Sequence, residues 1–279
     1  ASVIESIDAP TIYEVPFNML REGLDIQVLK KLGISAKGEP DLEKWKSFLY
    51  RLKNPLTEVN IGLVGKYVEL KDAYKSISEA FIHAGAATQC KVKIKWIHSE
   101  KLEDNPDCIQ EELQGLNGIL VAPGFGSRGI EGKIMAVRYA RENKIPFLGI
   151  CLGMQCAVIE FARNVLGYKD AHSVEMSAST THPVIDIMEE QKLIQNMGGT
   201  MRLGAYPCKL KENTKIYSAY QKENISERHR HRYEFNNAYL EAFEQAGMIA
   251  SGINPDTNLV EVVEIPSHPY FVGVQYHPE

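Results

Sequence analysis

The chain has 279 residues, of which 44% are hydrophobic and 24% charged, the balance of a globular protein with a sizeable core. A net charge of −5 argues against electrostatic capture of nucleic acid, and no apolar run approaches the ~18 residues that span a bilayer. The first residues form neither a basic leader nor an apolar signal core, and five cysteines without a Cys-x-x-Cys suit neither a disulfide framework nor a zinc site, so a cytoplasmic protein with reduced thiols is expected.

Residues 13–16 read as a short strand, followed by a helix over 23–32 that Gly33 ends in a left-handed C-terminal position. After a polar segment, Asp41 is positioned to cap a second helix, 42–53, which stops before Asn54-Pro55. From residue 59 the pattern changes. Short apolar runs at 59–65, 91–97, 118–121 and 147–150 alternate with helical stretches at 73–84, 109–113, 132–142 and 151–165. Such alternation predicts an α/β fold, an open and mostly parallel sheet with helices on both faces. The last third is less regular, with strands expected at 181–188, 204–209, 259–265 and 271–276. Three segments follow: 1–34, a helical linker 35–57, and a main domain 58–279.

The run Gly149-Ile150-Cys151-Leu152-Gly153 places a cysteine where a buried strand turns into a helix. Glycines two residues to either side relieve crowding at a sharp turn, the arrangement of a Gly-x-Ser-x-Gly elbow with sulfur in place of oxygen. The helix N-terminus favours a thiolate, and the Leu152 N–H is placed to hold an oxyanion. Cys156 falls inside the helix and reads as a small buried hydrophobe, as do Cys90, Cys108 and Cys208, which lack flanking glycines. A thiolate needs a base and the base an orienting group. His277 follows a strand, and Glu279, two residues on, shares its face in an extended chain. On the tripeptide alone, a surface turn closed by Pro278 is the competing reading. Arg228, Arg230 and Arg232 alternate with His229 and His231, either as a solvated loop or as an anion clamp. The glycine-rich loop 122–129 follows the strand 118–121 and lies where open α/β sheets bind ligands.

Taken together, the glycine loop, the cysteine elbow and the terminal His-Pro-Glu resemble the class I glutamine amidotransferases. Residues 62–76, 198–204 and 227–234, with 7–16, resemble more closely the CTP synthase family. The resemblance implies a glutaminase domain that releases ammonia from L-glutamine through Cys151, His277 and Glu279. It implies oxyanion donors at Gly124 and Leu152, substrate contacts at Gln155, Glu175 and Arg232, and no metal or cofactor for that step. It further implies an amidoligase domain that aminates UTP with ATP and Mg²⁺, residues 1–34 being the tail of that domain and most of it lying outside this chain. A homotetramer is implied, and activation by GTP, with Phe125 and Arg202 as effector contacts. The sequence departs from the family at Pro123, where a glycine is usual, and ends at Glu279, where the family continues. A terminal catalytic carboxylate is expected to fray. Two other readings are open: a free-standing γ-glutamyl hydrolase with the same elbow, and a non-catalytic assembly module.

Overall fold

The computed structural model describes residues 3–35, 38–187 and 201–279. Contacts divide the chain into two compact units, residues 1–58 with 81–91, and residues 59–80 with 92–279. Residues 81–91 join the first unit without a sequence signal.

The first unit carries helices α1 (Val15–Arg21), α2 (Leu24–Leu32) and α3 (Glu43–Lys53). Residues 13–16 are not a strand. A 3-10 turn, Ile12–Glu14, runs directly into α1. The Thr11 hydroxyl accepts the Tyr13 N–H, and Pro16 sits in the first helical turn, where its missing N–H costs nothing. Gly33 ends α2 at φ 67°, and the Asp41 carboxylate accepts the Glu43 N–H at the start of α3, both as expected. Tyr13 is the unit's anchor: its hydroxyl meets His83 Nε2 at 2.9 Å, its carbonyl accepts the Trp45 indole N–H, and its ring lies edge-on to Phe48.

The central sheet draws on β1 (Thr57–Gly65), β2 (Cys90–His98), β3 (Gly118–Val121), β4 (Phe147–Ile150), β7 (Arg202–Leu210), β8 (Asn224–His231), β10 (Ile249–Ile253), β11 (Val260–Glu264) and β12 (Phe271–Val274). Among the described residues their order is β2-β1-β3-β4-β12-β11-β10-β7-β8, and β5 (His172–Ser173), β6 (Pro183–Ile187) and β9 (Tyr233–Phe235) form a second, small sheet. The pairs β1–β3, β3–β4 and β4–β12 are parallel. From β12 outward, β11, β10, β7 and β8 extend the sheet antiparallel. The parallel centre is why β3 and β4 are continuous apolar runs with nearly every residue buried.

Helices α4 (Lys75–Thr88), α5 (Ser99–Asp104), α6 (Ile109–Leu113), α7 (Ile130–Glu142), α8 (Leu152–Asn164), α9 (Lys215–Tyr220) and α10 (Leu240–Ala246) complete the set. In α8 every residue from Leu152 to Ala162 is buried, so it is a core helix without a solvent face. Of the run 228–232, readable as a solvated charged loop, residues 228–231 belong to strand β8. Its buried positions alternate through Ile225, His229 and His231, and histidine in place of aliphatic residues hides the period of two.

Candidate active site

Cys151 occupies the turn between β4 and α8 with φ 52° and ψ −104°. This is a strained conformation for a residue with a Cβ, of the kind that marks a nucleophile elbow. The flanking glycines are obligatory. A Cβ on Gly153 would stand 2.2 Å from the Val121 carbonyl oxygen, and one on Gly149 would stand 2.6 Å from the Gly153 carbonyl. The turn can close against β3 only because both side chains are absent.

His277 reaches the same place from the neighbouring strand. β12 runs parallel to β4 with Val274 opposite Ile150, so the residues following both strands emerge at one edge of the sheet. His277 Nδ1 lies 2.9 Å from Glu279 Oε1, which fixes the ring and leaves Nε2 as its free nitrogen. Glu279 turns inward. Its side chain is 8% exposed and faces the Arg228 guanidinium at 3.8 Å, while the Arg228 carbonyl accepts the His277 N–H. Cys151, His277 and Glu279 open together onto a cleft of about 470 Å³ that Gly124, Phe125, Arg228 and Arg230 also line.

The thiol differs from the sequence expectation. Burial pushes it up to about 12, against the opposing pull of the Leu152 N–H and the Lys133 charge. The helix N-terminus is present, but desolvation outweighs it. The fold by itself therefore disfavours the thiolate. A further contact is Gln275, whose sequence signal is its spacing alone. It stands two residues before His277 on the same face, it is fully buried, and its side-chain N–H donates to the Cys151 sulfur at 3.6 Å. Gln155 braces it, donating to Gln275 Oε1 and to the Tyr233 carbonyl.

On the other side of Cys151 a small pocket of about 20 Å³ is lined by Gly124, Leu152, Gln155, Glu175, Arg232 and Tyr233, among others. It brings together the five residues assigned to substrate by resemblance. A Cβ on Gly124 would touch Leu152 Cδ2 at 3.6 Å, so the two expected oxyanion donors adjoin. Glu175 Oε1 accepts the Gly126 N–H at 3.1 Å. The three arginines of β8 and its end divide: Arg228 and Arg230 face the large cleft, Arg232 the small pocket.

Of the two effector residues expected from resemblance, Phe125 is 51% exposed with the Arg230 guanidinium over its ring. Arg202 is not at the surface. It is 6% exposed and bridges Glu234 Oε1 at 3.0 Å and Glu261 Oε1 at 2.8 Å, with Tyr206 against its guanidinium. Its guanidinium is held by two carboxylates, and it does not line the cleft that Phe125 lines. Residues 198–200 of the expected coupling segment lie outside the described residues. Among the described residues no group of three or more His, Cys, Asp or Glu is placed to hold a metal ion, and no helix is long and apolar enough to cross a membrane.

Fold and site together define an α/β protein with a cysteine at a strand-to-helix elbow, facing one cleft with a His–Glu pair. The family model for class I glutamine amidotransferases matches residues 69–279. The CTP synthase of Cytophaga hutchinsonii is 66% identical over the whole chain, and that of Flavobacterium johnsoniae 63%, each match covering 51% of the relative. The chain therefore spans about half the length of the curated relatives it matches. The glutaminase domain of Trypanosoma brucei CTPS, solved with acivicin bound, superimposes with a TM-score of 0.74 at 41% identity, covering 79% of this chain and 86% of that one. The chain belongs to the class I glutamine amidotransferase family and, within it, to the glutaminase domains of CTP synthases.

Proposed function

We propose that this chain hydrolyses L-glutamine and delivers the ammonia to a synthetase domain that aminates UTP to CTP with ATP and Mg²⁺. The observation that carries the hydrolytic step is the convergence of Cys151 and the His277–Glu279 pair on one cleft from adjacent parallel strands. Glu175 takes the substrate α-ammonium and Arg232 its α-carboxylate. His277 accepts the thiol proton, and the sulfur attacks the side-chain amide carbon. The N–H groups of Gly124 and Leu152 receive the oxyanion, a type of contact worth about 2.7–4 kcal/mol per donor in a comparable hydrolase. His277 then protonates the departing ammonia, leaving a glutamyl-thioester on Cys151. Water, deprotonated by His277, cleaves the thioester to glutamate and restores the thiol.

The identity to full-length CTP synthases supports the wider reading: residues 1–34 as the end of the amidoligase domain, 35–57 as a linker, a homotetramer in the cytoplasm, and GTP as activator with Phe125 among its contacts. Cys151→Ala in an enzyme carrying both domains is expected to abolish glutamine-dependent CTP formation and to spare ammonia-dependent formation. Loss of both activities would overturn the assignment.

A further inference from the structure

Two lysines are buried beneath the glycine-rich loop. Lys133, on α7, is 0% exposed, and its ammonium donates to the Ala122 carbonyl at 2.6 Å. Lys66, just past β1, is 3% exposed and donates to the carbonyls of Phe125 and Gly126. Neither has a carboxylate within ion-pair distance among the described residues. An isolated buried ammonium is costly, and proteins rarely keep one without a partner. Replacement by a hydrophobe of similar volume is often neutral or stabilising, so stability gives no reason to retain Lys133.

Its position gives one. The Lys133 ammonium stands 3.8 Å from where a Cβ on Gly124 would be, directly under the expected oxyanion donor. It holds the Ala122 carbonyl, the acceptor at the near end of the same loop. The ionisable groups whose charges act on it are Cys151, Cys156 and Lys66, none of them a carboxylate. Burial pushes Lys133 down to about 8, so the ammonium form still prevails at neutral pH. The reciprocal effect is on Cys151, whose thiol the Lys133 charge pulls down.

We infer that Lys133 is a positioning residue, a buried cation with no partner acid among the described residues, that anchors the floor of the loop 122–126 and supplies positive potential to Cys151 as it becomes anionic. The charge acts in a dry site, where it is screened little, and it needs no reorganisation during reaction. Lys66 tethers the far end of the loop from a less buried position and serves mainly to hold the backbone.

The inference depends on the glutaminase reading only for its kinetic consequence, so the test uses the thiol itself. Alkylation of Cys151 by iodoacetamide, followed by mass spectrometry across pH, reports its thiolate fraction. In Lys133→Met, near-isosteric and uncharged, reactivity at a given pH is expected to fall roughly tenfold, the effect of removing an opposite charge close by. The melting temperature should stay level or rise. Lys66→Met loosens the same loop and should leave the alkylation profile where it is. Lys133→Gln repeats the measurement should the methionine variant fail to fold. With glutamine, Lys133→Met should lower kcat with KM little changed. A Lys133 variant that folds and is alkylated along the wild-type profile would overturn the inference, and so would an equal shift in Lys66→Met. If wild-type chain and full-length enzyme alike leave glutamine intact, the glutaminase reading fails, and the alkylation profiles still decide the role of Lys133.

Discussion

The Cys151 backbone N–H donates to the Val274 carbonyl at 2.7 Å. This one bond fastens the nucleophile turn to the strand that leads to His277 three residues later. Sheet register beneath it is continuous, Phe271 to Val274 against Phe147 to Ile150. The spacing of the proposed nucleophile and base is thus set by a parallel β-ladder rather than by loops, which suits a site that must hold its geometry to a fraction of an ångström.

That rigidity has a weak point at Gly153. Its missing Cβ lets α8 approach the Val121 carbonyl, and alanine there would collide with main chain that cannot move aside. Gly153→Ala is expected to destabilise the fold by about 1–3 kcal/mol or more through overpacking and to displace Cys151 from its strained turn. Chemical denaturation and the glutaminase rate should fall together, with a loss of rate larger than the loss of stability explains.

Glu279→Gln tests the orienting carboxylate. Glutamine retains the shape but not the charge that aligns His277 through Nδ1. In a serine triad the equivalent change costs roughly 10⁴-fold in kcat. Here Arg228 already neutralises part of the Glu279 charge, so a fall of roughly 10²-fold is expected, in kcat and not in KM. Steady-state glutamine hydrolysis checks it.

The parts of this site that sequence disclosed were those with steric or covalent necessity. A cysteine bracketed by two glycines at the end of an apolar run suits little but a sharp turn, and the i, i+2 spacing of His277 and Glu279 puts both side chains on one face of an extended chain. The short apolar runs of β3 and β4 were bounded correctly because a buried parallel strand tolerates little else. The parts it hid were polar groups serving as core. His229 and His231 carry the inward face of β8, Arg202 lies between two buried acids, and Lys133 sits wholly inside on an otherwise ordinary helix. By composition each belongs outside, and only the tertiary partners reverse that. Residues 13–16 read as a strand yet are helical: Thr11 caps the 3-10 turn and Pro16 takes the first turn of α1, where its missing N–H costs nothing.

Substrate recognition is predicted to separate from chemistry at Glu175 and Arg232. The pocket between them holds only about 20 Å³, space for about one water, so glutamine must displace groups on entering. The Gly126 N–H now occupies Glu175 Oε1 and is the natural contact to loosen. Glu175→Gln and Arg232→Ala should each raise KM for glutamine, by roughly tenfold or more for loss of a charge-assisted hydrogen bond, with a smaller effect on kcat. An inhibitor lacking the α-amino group should lose affinity for the wild type and be indifferent to Glu175→Gln. Isothermal titration with both ligands gives the comparison.

The buried cluster behind this pocket predicts a stability profile with pH. His229 Nδ1 and His231 Nε2 lie 2.8 Å apart, His231 Nδ1 is 3.4 Å from Glu234 Oε1, and His229 Nε2 is 3.7 Å from Glu261 Oε2. Arg202 joins the two acids into a ring. One cation against two carboxylates leaves an excess negative charge with almost no solvent, which a single retained proton cancels. Accordingly burial, with Glu261 adding to it and Arg202 opposing, pushes Glu234 up to about 8. Burial, with Arg202 adding to it, pushes His229 down to about 3, and burial, with His229 and Arg202 adding to it, takes His231 well below its ordinary value. As pH falls from 6.5 towards 3 the unfolded chain binds protons that the folded histidines refuse, so stability drops. As pH rises from 4.5 through about 8 the folded state keeps a Glu234 proton that the unfolded chain has released, so stability drops on that side too. Between 4.5 and 6.5 the two trends oppose each other; above 6.5 the carboxyl trend is left alone. Urea midpoints should therefore decline from pH 6.5 to 8. Glu234→Gln, which carries the neutral form permanently, should remove most of that decline while keeping the acid limb. A decline of unchanged slope in Glu234→Gln would place the retained proton elsewhere.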